Sequence, residues 1–181
     1  RCVGQAGRPG EAEALFRRAL KIKRAELGPD DVRVAATLHE IACSVREAGR
    51  PGGAEPLLQR ALRIEEAESG PDDASVGYTL HRLGACVRQA GRLGDAEASF
   101  RRALEIKEAK LGPDDVQVAV TLHELGLCVR KTGRSEEAEP LFRRALEIKE
   151  AKVGADHINL AEIRQELGRC AKDAGGPAKT R

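Results

Sequence analysis

Three histidines recur at a fixed interval and carry the most distinctive chemistry of the chain. His39, His81 and His123 are 42 residues apart, and an arginine follows each of them seven residues later. An imidazole can ligate a metal or exchange a proton near neutral pH, whereas a guanidinium can bind a carboxylate through two parallel hydrogen bonds. The spacing therefore raises three candidate activities: metal binding, acid–base catalysis and recognition of an acidic partner.

Metal binding and catalysis are not expected from the neighbouring residues. The zinc-protease motif HExxH requires a second histidine four residues after the first, and Cys43 and Leu127 occupy those places. His39 and Cys43 could share a metal, but only one unit has this pair, and a structural zinc site needs four ligands. No phosphate-binding loop, dinucleotide-binding loop or nucleophile elbow is present. We predict a non-enzymatic protein with no metal and no cofactor.

The histidines belong to a repeated unit that determines the fold. The segment from Thr121 to Asp156 reappears from Thr79 and from Thr37, and a truncated copy opens the chain. Each unit has two runs of apolar residues at i, i+3, i+4 and i+7, the spacing of an amphipathic helix. A period this regular predicts stacked helix pairs. The predicted fold class is all-α, a right-handed α-α superhelix of antiparallel helix pairs.

Glycine, proline and aspartate mark the predicted helix ends. Gly49, Gly91 and Gly133 close the first helix of each unit, and Gly-Pro-Asp-Asp segments end the second helix and provide an aspartate to cap the next. The predicted helices cover residues 10–27, 32–48, 52–68, 74–90, 94–110, 116–132, 136–152 and 158–173, and residues 1–6 are expected to end another helix. Close contact between paired helices is expected at Ala42, Gly84 and Gly126.

These helices are expected to form one solenoid domain over residues 1–174. It comprises a half repeat 1–31, repeats 32–73, 74–115 and 116–157, and a capping helix 158–174, and a disordered tail 175–181 follows. Because the chain contains no methionine and opens in the middle of a repeat, we expect it to be a piece of a longer protein.

Several residues of the unit also match a known repeat. A Leu–Gly pair, a glycine at the turn, and Ala, Phe and Ala on the second helix recur at Leu83, Gly84, Gly91, Ala96, Phe100 and Ala103, and at Leu125, Gly126, Gly133, Ala138, Phe142 and Ala145. The pattern resembles the tetratricopeptide repeat, in the 42-residue form found in kinesin light chains. The resemblance implies a scaffold or adaptor whose first helices line a concave groove that holds a partner peptide.

One stripe of each first helix is expected to face that groove. Its members follow the spacing i, i+3, i+7, i+10 and are Ala36, His39, Cys43 and Arg46; Tyr78, His81, Ala85 and Arg88; and Val120, His123, Leu127 and Arg130. The candidate peptide-binding residues are His39, Arg46, Tyr78, His81, Arg88, His123, Arg130 and Lys131. We predict an acidic, partly apolar peptide or helix as the partner, bound more tightly in mild acid where histidine gains charge. Changing Arg46, Arg88 and Arg130 together to glutamate is expected to abolish binding.

Composition limits the alternatives. Charged residues form 33% of the chain with a net charge of +2, and aromatic residues only 2%, which does not favour a nucleic-acid partner. No apolar run is long enough to span a membrane, and no secretion signal is visible. The five cysteines suggest reduced, buried thiols in a cytoplasmic protein. A spacer without a ligand remains the main alternative, an RNA-binding helical repeat is a weaker one, and self-association through the open first helix is a further option.

Overall fold

The computed structural model describes residues 9–153 and 160–175. Over these residues the chain forms eight α-helices and no strand: α1 (Pro9–Leu27), α2 (Val32–Glu47), α3 (Pro51–Ser69), α4 (Ala74–Gln89), α5 (Leu93–Leu111), α6 (Val116–Lys131), α7 (Ser135–Val153) and α8 (Ala161–Gly175). Each helix packs most extensively on its neighbours in sequence. The short connections make paired helices antiparallel, so the all-α solenoid predicted from the repeats is confirmed.

The helix bounds differ from the predicted ones by a residue or two. The second helix Pro51–Ser69 is one residue longer at each end than predicted, because Pro51 suits the first helical position and Gly70 caps the end. The predicted tail of a helix at 1–6 and the predicted start of the last helix at 158 lie outside the described residues. Gly175, which we assigned to the tail, is the final residue of α8; the remainder of that tail is also outside the described residues.

The capping residues confirm the predicted helix ends. The carboxylates of Asp31, Asp73 and Asp115 each accept the backbone N–H two residues on, at 2.8, 2.9 and 2.7 Å. The glycines between helices have φ between 74° and 91°, a region in which a side chain is strained: Gly28, Gly49, Gly70, Gly91, Gly112 and Gly133. Local sequence signals therefore set where each helix begins and ends.

The paired helices interlock through an aromatic ring and a glycine. Phe100 and Phe142 are fully buried, and a Cβ atom added at Gly84 or Gly126 would come within 2.9 and 2.8 Å of these rings. The first complete repeat carries a different combination, because Leu58 replaces the phenylalanine and Ala42 replaces the glycine. Close approach at these small residues was predicted and is confirmed at both glycines.

The first helices of successive repeats lie on one side of the stack. α4 contacts α6 and α6 contacts α8, whereas no two second helices make comparable contact within the described residues. The first helices therefore approach one another along one side of the stack. We call the surface formed by α2, α4, α6 and α8 the inner face.

The last helix presents a polar outer surface. Leu160, Ile163 and Cys170 are buried, whereas Arg164 is exposed at the place where earlier repeats have leucine and pairs with Glu150 at 2.8 Å. None of the described helices combines the length and the apolar character that a membrane span requires.

Candidate functional site

His39 belongs to a polar cluster that joins three helices. Its Nε2 atom is 2.9 Å from Oε1 of Glu65 on α3 and 2.9 Å from Oγ1 of Thr79 on α4. The Thr79 hydroxyl also donates to Oε2 of Glu65 at 2.5 Å. Glu65 and Thr79 are buried, and the His39 side chain is only 15% exposed. This histidine therefore connects neighbouring repeats, and little of its side chain is exposed to a partner.

The equivalent cluster at His81 contains a lysine instead of a glutamate. Nζ of Lys107 donates to Oγ1 of Thr121 at 3.1 Å, and that oxygen is 3.2 Å from Nδ1 of His81. Lys107 is 1% exposed, and its ammonium lies 4.9 Å from the centre of the Tyr78 ring, within range of a cation–π interaction. Burial lowers the pKa of Lys107 to about 8. The cluster thus holds a cation with little access to water.

Burial also makes His81 a weak base. Its ring meets Phe100 edge-on with 5.4 Å between centroids. Desolvation, followed by the charges of Lys107, Arg82 and Arg46, lowers its pKa to about 3. The expectation that this ring gains positive charge in mild acid is therefore wrong, because protonation would place another cation in a desolvated site.

His123 lacks the hydroxyl partner of the earlier repeats. Ile163 stands where Thr79 and Thr121 serve the other two histidines, and Nε2 of His123 is buried with no hydrogen-bond partner among the described residues. Desolvation lowers the pKa of His123, so this ring is also a weaker base than an ordinary imidazole. His81 and His123 therefore serve repeat packing more than they present charge to a partner.

Two of the three predicted inner-face arginines are paired within the chain. Nε of Arg88 is 2.9 Å from Oε2 of Glu124, and Nε of Arg130 donates to Oε2 of Glu166 at 2.7 Å. Each pair joins the first helix of one repeat to the first helix of the next. The arginine side chains are 20% and 18% exposed. These arginines therefore remain within reach of a partner, but much of their charge is already balanced.

Arg46 differs because the residue that faces it on the next first helix is an arginine. Arg82 holds the repeat position that Glu124 and Glu166 hold opposite Arg88 and Arg130. Neither the Arg46 nor the Arg82 side chain makes a hydrogen bond or ion pair with any residue that the structure describes. A cavity of about 340 Å³ lies between α2 and α4, and both arginines line it together with His81 and Glu47. The two guanidinium groups are close enough to His81 to depress its pKa. This place on the inner face concentrates positive charge.

The remaining predicted site residues are exposed. Tyr78 is 39% exposed on α4, and Lys131 is exposed at the end of α6. The inner face thus offers an aromatic ring, two arginines without partners in the described chain and a terminal lysine.

Arg82 was missed by the sequence analysis. The signal lies in the residue after each histidine, which is Glu40, Arg82 and Glu124 in successive repeats. A reversal of charge at one copy of a repeated position marks the repeat whose contacts differ. The charge reversal can be interpreted only once the structure shows that this position faces the arginine of the preceding repeat.

The cysteines serve packing. Cys86, Cys128 and Cys170 are buried and form no disulfide, and burial raises the pKa of Cys128 to about 11. Such thiols stay protonated at neutral pH and are poor nucleophiles. Within the described residues, no three histidine, cysteine or acidic side chains converge in a geometry that could hold a metal ion.

Comparisons with known proteins agree with this architecture. The model of the tetratricopeptide repeat matches residues 2–67, 33–109, 75–151 and 117–179. The crystal structure of BtubC (BKLC) from P. vanneervenii is similar, with a TM-score of 0.84 and 24% identity over 93% of this chain and 67% of that chain. A putative kinesin light chain from Podosopora anserina, with nearly identical TPR-like repeats, has a TM-score of 0.80 and 21% identity over 94% of this chain and 81% of that chain.

A third solved structure is similar at lower identity. The type III secretion translocator chaperone SycD of Yersinia enterocolitica has a TM-score of 0.63 and 16% identity, over 81% of this chain and 89% of that chain. The comparison with curated proteins gave no significant match. Identities at this level support the fold alone. Since the repeat model covers nearly all of the sequence, the chain belongs to the tetratricopeptide repeat family.

Proposed function

We propose that this protein is an interaction scaffold that binds an acidic, partly apolar peptide or helix along its inner face. The observation that carries the proposal is the pair Arg46 and Arg82, two cations without partners in the described chain beside a cavity of the inner face. Tyr78 adds an exposed aromatic surface nearby on α4. Aromatic and arginine side chains are the types that dominate the energy of protein interfaces.

The partner's spacing follows from the stacking. Packed helices lie about 8–10 Å apart, and an extended chain advances about 3.3 Å per residue. An extended peptide therefore meets a new repeat about every third residue. We expect its acidic and apolar residues to recur at that interval, so that each repeat receives one side chain.

The triple replacement of Arg46, Arg88 and Arg130 by glutamate is a poor test of this proposal. Arg88 and Arg130 connect successive first helices through Glu124 and Glu166, so reversing their charge removes stabilising pairs and creates repulsion. Loss of binding in that variant would not separate unfolding from a lost contact. A neutral inner-face residue gives a cleaner test.

Selection from a random peptide library on the intact chain, followed by affinity measurement, tests the proposal. The selected peptides should be rich in aspartate and glutamate. When such a peptide binds, the amide chemical shifts of the protein should change in α2, α4 and α6. Tyr78→Ala should weaken binding about tenfold, as expected for an aromatic anchor. The matched control is Leu15→Ala, which removes a side chain 67% exposed on α1, a second helix, and should leave affinity unchanged.

Other outcomes would contradict the proposal. Recovery of no binder above background would favour a spacer, and binding of single-stranded RNA in preference to any peptide would favour the RNA-binding alternative. Shifts confined to the second helices would place the partner on the outer surface. The scaffold is proposed to act without catalysis and in the cytoplasm, a compartment that suits free cysteines such as Cys86, Cys128 and Cys170.

A further inference from the structure

The cavity between α2 and α4 interrupts a pattern that the other repeats complete. Between α4 and α6 the carboxylate of Glu124 faces Arg88, and between α6 and α8 the carboxylate of Glu166 faces Arg130. At the same place between α2 and α4 the position of Glu124 is taken by Arg82. The chain therefore supplies an arginine at all three junctions but an acid at only two.

The same junction is also more open. Leu58 lines the cavity at the position where Phe100 fills the next repeat, and Ala85 lines it where Leu127 stands one repeat later. Contact between α2 and α4 is weaker than the contact between α4 and α6. The volume of about 340 Å³ is at the small end of the roughly 300–1,000 Å³ typical of ligand clefts. The space suits one side chain.

We propose that this cavity is a carboxylate-binding site in which Arg46 and Arg82 together hold one aspartate or glutamate side chain of the partner. The inference rests on the proposed function and names the part of the inner face that recognises acid. The incoming carboxylate would occupy the role that Glu124 and Glu166 have at the other junctions. An arginine pairs a carboxylate through two charge-assisted hydrogen bonds, and a site partly shielded from water strengthens that attraction.

The charges around the cavity favour an anion. Arg46 and Arg82 contribute two positive charges, and the neutral ring of His81 contributes none. Glu47 is the one acid among the lining residues; it is exposed and accepts a hydrogen bond from Sγ of Cys43 at 3.3 Å. The balance of charge among the lining residues is therefore positive.

The test uses the intact chain and an acidic peptide obtained by the library selection, acetylated and amidated at its ends. Arg82→Glu restores the acid found at the other junctions, so Arg46 should gain an internal partner and the site should close. We expect affinity to fall at least about tenfold, the scale of a hydrogen bond to a charged group. Arg82→Gln and Arg46→Gln should each weaken binding without closing the site. Arg18→Glu, on the exposed surface of α1, is the matched control for net charge and should bind as the parent does.

The outcomes separate this inference from the proposed function. If the parent binds acidic peptides and Arg82→Glu binds them equally well, the carboxylate site is wrong and the scaffold stands. An equal loss of affinity in Arg82→Glu and Arg18→Glu would show that only the net charge of the protein matters. That result would also overturn the carboxylate site. Binding that requires a free C-terminus would overturn the assignment to a side chain. Urea unfolding provides the folding control: Arg82→Glu should be at least as stable as the parent, whereas a large destabilisation would contradict the predicted Arg46 pairing.

Discussion

Gly126 is a position at which the pairing of two helices leaves no room for a side chain. A Cβ atom there would lie 2.8 Å from Cε1 and 2.9 Å from Cζ of Phe142, a ring that is fully buried. Gly126→Ala therefore forces the ring or α6 to move, and overpacking of this kind costs about 1–3 kcal/mol. The better helix propensity of alanine offsets about 1 kcal/mol. The net expectation is a loss of up to about 2 kcal/mol in the free energy of unfolding.

A matched glycine isolates the packing contribution. Gly168 holds the same repeat position on α8, and a Cβ atom there meets nothing within 4 Å. Gly168→Ala should stabilise the protein by about 1 kcal/mol through helix propensity alone. The difference between the two variants is therefore the steric cost at Gly126. Urea unfolding followed by far-ultraviolet circular dichroism measures both.

The chain itself suggests the compensating change. The first complete repeat pairs Ala42 with Leu58 where this repeat pairs Gly126 with Phe142. In a double-mutant cycle, Phe142→Leu should relieve the strain of Gly126→Ala, with a favourable coupling energy of about 1–2 kcal/mol. A steric clash at Gly126 is refuted if Gly126→Ala stabilises the protein as much as Gly168→Ala does, or if the coupling energy is zero.

Three further changes test the buried polar groups and the helices. Wild-type stability should fall as pH decreases from about 6.5 towards 3, by up to about 1.4 kcal/mol per pH unit for one group, because the unfolded chain takes up a proton that buried His81 does not. His81→Gln should flatten urea-derived stability over this range, and an unchanged slope would contradict it. Lys107 has a folded pKa of about 8, below its unfolded value of about 10.4, so stability should rise with pH between these values. In Lys107→Met this increase in stability with pH should vanish. If the increase persists, a group other than Lys107 causes it. Pro140 lies inside α7, and Pro140→Ala should raise stability by about 2 kcal/mol, the cost of a helical proline less its entropic advantage; a lower melting temperature would contradict this.

The helices could be predicted because their signals are local. Apolar spacing, glycine at positive φ and aspartate caps act within a few residues, so the bounds of α2, α4 and α6 differ by at most a residue or so from the prediction. The repeat register also showed which residues are equivalent, and through this the close approach at Gly84 and Gly126. Neither conclusion depends on how the repeats curve.

The site was less predictable because its charges interact across helices. Arg88 and Glu124 are 36 residues apart, and no local pattern says that they meet. The sequence placed Arg46, Arg88 and Arg130 in one equivalent set, whereas the structure separates Arg46 from the other two. The histidines were expected to present charge, yet burial between repeats makes His81 a poor base.

The sequence by itself therefore determined the repeat, its helices and the residues that line the first helix of each unit. Only the tertiary structure decided which of those residues are neutralised and which face a cavity. The physical reason is that helix formation and capping are satisfied within one short segment, whereas desolvation and ion pairing depend on which neighbouring helix comes within a few ångströms.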